Sequence, residues 1–184
     1  MSERCPICGQ DTMTMKRETF HDTISGLPHV FIVNMETWRC TSCGEHSVSY
    51  PQHAQNLRML AQEVVMKGSR LTGDEVRFLR KHVQWSGTKL AKHLGVSAET
   101  VSRWENGHEV IGPVADRLVR LVIAAEAEEE GLRYEVANLV RIAETPVPVR
   151  ITLTHVPGKG WVRAELPKVT RAKAQTGRAK RTAA

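Results

Sequence analysis

Two short repeats hold all four cysteines of this 184-residue chain: Cys5-Pro6-Ile7-Cys8-Gly9 and Cys40-Thr41-Ser42-Cys43-Gly44. Two residues between the thiols let the backbone turn back on itself, so both sulfurs face one ion. The glycine that follows relieves the steric strain of that tight turn. A pair of such knuckles supplies four thiolates, the closed tetrahedral set of a structural zinc ion, one per chain. Cys5, Cys8, Cys40 and Cys43 are therefore the candidate ligands. A rubredoxin-like iron centre uses the same spacing, and the residues alone leave it open. A dithiol redox pair needs one low-pKa cysteine beside a resolving partner, usually opening a helix, and two matched knuckles argue against it. Four sulfurs leave no open coordination position, so metal-assisted hydrolysis is not expected. The eight histidines (His21, His29, His46, His53, His82, His93, His108, His155) are scattered and read as surface or packing residues.

The elements that must position these residues follow from periodicity and punctuation. Between the knuckles lie 31 residues, enough for a β-ribbon: Val30 to Val33 and the run to Trp38 are rich in strand formers, after a Gly26-Leu27-Pro28 turn. Pro51 to Lys67 predicts a helix with Ala54, Leu57, Leu60, Ala61, Val64 and Val65 at helical spacing, and Gly68-Ser69 breaks it. Thr72-Gly73-Asp74-Glu75 is a capping box before Val76, Leu79 and Val83. Ser86 starts the next helix, with Leu90, Ala91 and Leu94 inward, and Gly95 ends it. Ser97 caps a third, Ala98 to Asn106, whose Val101 and Trp104 share one face. Gly112-Pro113 opens a fourth, with apolar positions Val114, Leu118, Leu121 and Val122. Two of these helices joined by Gly95-Val96-Ser97 make a helix-turn-helix, in which one helix braces the other so that its outer face can enter a major groove.

Residues 71–124 resemble the lambda-repressor-like (XRE) helix-turn-helix family, whose third helix closes with a Ser-x-x-Glu-x-Gly pattern, here Ser102-Arg103-Trp104-Glu105-Asn106-Gly107. With the CPxCG and CxxCG knuckles in front, residues 1–124 resemble the MqsA-type (YgiT-type zinc finger) antitoxin family. That resemblance implies a zinc domain that captures a toxin protein and a dimeric DNA-binding domain that represses the operon. Carried over position by position, it makes Ala98, Glu99, Thr100, Ser102 and Arg103 the outward residues of the third helix. Arg103 and Glu99 become the base readers, since arginine pairs guanine and glutamate accepts from cytosine. Ser97, Thr100, Ser102 and Asn106, with Lys89 and Lys92 on the second helix, become phosphate contacts. Trp104 and Val101 read as core, and Glu105 as structural, through a hydrogen bond or an ion pair inside the domain. The chain departs from the pattern at Gly87, where many relatives carry a glutamine that contacts DNA.

Charge is unevenly spread. Six basic residues and no acid follow Glu165, and residues 67–124 carry ten basic against six acidic side chains, within a chain of net charge +6. That pattern suits a polyanionic partner. Glu126 to Glu130 reads as a solvated helix end. Leu132, Val136, Leu139, Val140 and Ala143 predict a fifth helix, and Val149 to Leu166 a β-hairpin that must pack on something to be stable.

The expected architecture is mainly α with a small β part: a four-cysteine zinc ribbon (1–50), a helix and linker (51–69), a five-helix DNA-binding domain (70–145), a β-hairpin (146–166) and a disordered basic tail (167–184). The expected function is sequence-specific binding of double-stranded DNA at a palindromic operator, as a homodimer and without enzymatic activity. Leu121, Val122, Leu132 and Val136 are the expected pairing surface. A cognate toxin is the partner that the resemblance adds, and a stand-alone transcription factor is the alternative. No apolar run suits a membrane span or a signal peptide, so the expected compartment is the bacterial cytoplasm, at the nucleoid when DNA is bound.

Overall fold

A computed structural model describes residues 4–128, 132 and 141–165. Strands β1 (Met13–His21) and β2 (Val30–Cys40) form the long antiparallel ribbon, in a register that sets Met13 opposite Cys40 and His21 opposite Phe31. On its other side β2 pairs with β3 (His46–Val48) near the second knuckle. Helix α1 (His53–Met66) follows, then the two-residue strand β4 (Ser69–Arg70). Next come α2 (Gly73–His82), α3 (Gly87–Leu94), α4 (Ala98–Glu105) and α5 (Pro113–Glu126). The chain ends in β5 (Ala143–Pro146), β6 (Ile151–Val156) and β7 (Gly160–Arg163).

The C-terminal hairpin does not stand alone. Strand β6 pairs in parallel with β2, Val30 opposite Ile151 and Ile32 opposite Leu153, so β6 and β7 extend the ribbon into a five-stranded sheet. The physical reason is burial: Ile151, Leu153 and Trp161 continue the apolar face begun by Val30 and Ile32. That face packs on α1, whose Leu60, Ala61, Val64 and Val65 are buried at helical spacing. One contiguous core then runs through α1 into Val76, Leu79, Leu90, Val101, Trp104 and Ile123. The β part is therefore larger than a small appendage.

Two further expectations are corrected. The inward face of α5 is Asp116, Val119, Arg120, Ile123 and Ala124, whereas Val114 is 74% exposed and Leu118, Leu121 and Val122 are half-buried. Two charged residues sit inside because they neutralise each other and serve the backbone. Arg120 Nε donates to Asp116 Oδ2 at 2.9 Å, and its other nitrogens donate to the carbonyls of Val65, Lys67 and Ser69 at 2.7–2.8 Å. Asp116 Oδ1 accepts from Leu71 N at 2.6 Å. This pair fastens α5 to the segment that leaves α1, which would otherwise hold unpaired carbonyls. The expected fifth helix lies largely outside the described residues; Leu132 is buried, and Ala143 begins a strand, β5, beside β4. The basic tail also lies outside them.

A second buried ion pair locks the same junction. Glu75, in the first turn of α2, bonds to Lys67, to Thr72 N at 2.7 Å and to Val149 N at 2.8 Å. Lys67 in turn donates to Val147 O at 2.8 Å. Burial draws the Lys67 ammonium below its ordinary range, and the Glu75 carboxylate opposes that shift. The chain from β5 into β6 is thereby tied to the start of α2 on its way back to the sheet.

Candidate nucleic-acid interface and metal centre

The two knuckles adopt the same turn. Gly9 N donates to Cys5 O at 2.9 Å and Gly44 N to Cys40 O at 3.0 Å. Both glycines have positive φ, 73° and 78°, where a side chain would be strained. The β1–β2 register brings the knuckles together, and the four Sγ atoms lie within 4.8 Å of one another. Cys5–Cys43 and Cys8–Cys40 are 3.7 and 3.6 Å apart. Four sulfurs bound to zinc at about 2.3 Å in a tetrahedron are separated by about 3.8 Å, so the set fits one such ion. The thiols respond to this crowding. A hydrogen bond from the Thr12 hydroxyl, supported by the Cys43 N–H, lowers Cys40 to about 6. Cys43 accepts from a backbone group at Glu45, which lowers it, yet desolvation and its three thiol neighbours raise it to about 12. The four sulfurs thus form a candidate metal site.

The second candidate site is α4. Gly95 ends α3 with φ 68° and ψ 30°, and Val96 N bonds back to Ala91 O at 3.1 Å. Ser97 then caps α4, its Oγ accepting from Thr100 N at 3.1 Å. Val101 and Trp104 are buried against the domain, while Ala98, Glu99, Ser102 and Arg103 are exposed together. The expected base readers, Glu99 and Arg103, thus share the outer face of one helix. On α3, Lys89 and Lys92 are exposed.

The inner side of α4 is held by α2. Arg80 grips Glu105 with both ends of its fork, at 2.6 and 2.7 Å, and donates to Trp85 O at 2.7 Å. Arg77 reaches Glu105 O and also donates to Asn106 Oδ1 at 2.9 Å. The backbones approach so closely that a Cβ on Gly73 would lie 2.2 Å from Trp104 O.

Several expected phosphate contacts already have structural work. Ser97 and Thr100 form the cap and contact each other at 2.9 Å. Asn106 Nδ2 donates to Ser102 O and Oγ, at 2.9 and 3.2 Å. Lys89 Nζ lies 3.3 Å from Glu126 and 4.5 Å above the Trp85 ring. Arg103 is 3.3 Å from Glu109. Sequence reasoning missed both acids: Glu126 belonged to a cluster read as solvated, and Glu109 lies in a loop without a periodic signal.

Residues 71–132 match the family model of a helix-turn-helix domain, which spans α2 to α5 and continues past them. No curated protein matches this chain. The helix-turn-helix supports a DNA-binding regulator, and the cysteine cluster a metal site. Among the described residues, no helix is long and apolar enough to cross a membrane.

Proposed function

We propose that this protein is a sequence-specific transcriptional repressor that reads double-stranded DNA with α4. The observation that carries this reading is the outward face of α4 within the matched helix-turn-helix: Glu99 and Arg103 project to solvent from a helix clamped by Arg80 and Glu105. A planar guanidinium makes two hydrogen bonds to guanine, and a carboxylate accepts from cytosine. Ala98, Thr100 and Ser102 complete that surface, with Ser97, Asn106, Lys89 and Lys92 beside phosphates. One such helix covers only a few base pairs, so the functional unit is a homodimer on a palindromic operator. The four cysteines hold a single zinc ion, whose job is to close the ribbon. Titrating the full chain with the duplex upstream of its own gene tests this. Binding that survives excess random DNA supports it, and equal affinity for both contradicts it.

Within that reading, the protein is the antitoxin of a toxin–antitoxin operon that represses its own promoter and takes its toxin on the zinc domain. The resemblance of the paired knuckles and helix-turn-helix to MqsA-type antitoxins supports this. Co-expression with the neighbouring reading frame should yield a stable complex and relieve growth arrest. A stand-alone transcription factor is the alternative. It draws support from the ribbon sheet, which shares one core with the DNA-binding helices and so has a structural role without a partner.

A further inference from the structure

Helix α4 carries one basic side chain, Arg103, and the first turn of α3 carries one, Lys89. Each is held by an acid from outside those helices. Arg103 pairs with Glu109 of the α4–α5 loop, their side chains 55% and 42% exposed. Lys89 pairs with Glu126, the last residue of α5, with exposures of 48% and 43%. Glu126 is not a free-floating charge, because Trp85 Nε1 donates to the same oxygen at 2.8 Å. That indole N–H and the Lys89 ammonium hold its carboxyl below the usual range, so it stays ionised. Lys92, by contrast, has no ion-pair partner among the described residues.

From this arrangement, and resting on the DNA-binding reading, we infer that Glu109 and Glu126 are internal competitors that hold Arg103 and Lys89 away from DNA. The two act differently. Any duplex offers phosphate to Lys89, so Glu126 lowers affinity for all sequences alike. Only a duplex with a guanine in register offers Arg103 two directed hydrogen bonds, which outweigh the exposed pair with Glu109. On other sequences Arg103 stays on Glu109 and adds no phosphate contact. The cost of breaking the Arg103–Glu109 pair therefore falls on operator binding alone, so Glu109 narrows the gap between the operator and random DNA, whereas Glu126 leaves that gap unchanged.

The test uses the full chain, a random-sequence duplex and a duplex selected by the wild-type protein, with affinities read by fluorescence anisotropy across a salt series. Glutamine keeps the acceptor for Trp85, and an unchanged tryptophan emission verifies the fold. Glu126→Gln should tighten random-duplex binding about two- to five-fold. Its salt slope should steepen by roughly one phosphate contact per chain. Glu109→Gln should gain a similar factor on the selected duplex and less on random DNA. Each gain should vanish when the cation is removed, in Lys89→Ala and Arg103→Ala backgrounds. A gain that persists there is a general effect of net charge and overturns the inference, as does no gain at all. Failure of the wild type to bind any duplex overturns instead the DNA-binding reading on which it rests.

Discussion

Cys40 shows how much one residue can carry. It ends β2, its sulfur accepts from Thr12 and from the Cys43 N–H, and it is buried in the small cluster with Cys5 and Met13. Purified protein should contain about one zinc per chain by elemental analysis, and Cys40→Ser should lose it with a fall in unfolding temperature. A red, iron-containing protein would contradict the zinc assignment. In the proposed reading, Arg103 is the corresponding residue for DNA. Arg103→Ala should lower affinity for the selected duplex by about 1–3 kcal/mol per half-site at fixed salt, and affinity for random duplex far less. An equal loss on both would make it a phosphate contact and leave Glu99 as the base reader. The cysteines, Ser97 and Gly95 were legible in the sequence because their signals are local: a spacing, a cap, a left-handed stop. The Asp116–Arg120 pair was not, because its partners are backbone carbonyls about 50 residues away in the chain.

Between elements, α4 depends on α2. The Arg80–Glu105 pair is the main polar clamp, and both side chains are largely withdrawn from water. Glu105→Ala leaves Arg80 without its carboxylate and should destabilise the domain by about 3 kcal/mol in urea unfolding. Glu99→Ala, on the exposed face, should stay within about 0.5 kcal/mol. A similar small effect for both would mean that apolar packing alone holds α4. The helices themselves could be read from the sequence, because capping residues and 3.6-residue periodicity coincide at α2, α3 and α4, and a proline in the first turn marks α5. The burial of α5 could not be read that way: a pattern that sends charges outward points Val114 toward the core, and the buried ion pair reverses it.

Across the whole molecule, the unexpected feature is that two strands far apart in the sequence, β2 and β6, meet. The parallel pairing of β6 with β2 joins residues separated by some 120 positions, which no local signal announces. The alternation in Val149 to Leu153 revealed a strand but not its neighbour. Charge is a whole-molecule property as well. The six basic residues after Glu165 should add a sequence-independent attraction, so deleting 167–184 should weaken binding to any duplex and flatten its salt dependence. An unchanged slope would place the tail outside the interface. The central claim, that α4 reads sequence within a two-fold dimer, is tested most directly by selecting bound duplexes from a random-sequence pool with the full chain. The account predicts enrichment of an inverted repeat whose half-sites lie about 34 Å apart, or a multiple of that, on one face of the duplex. Retention of the pool without enrichment of any sequence would contradict it.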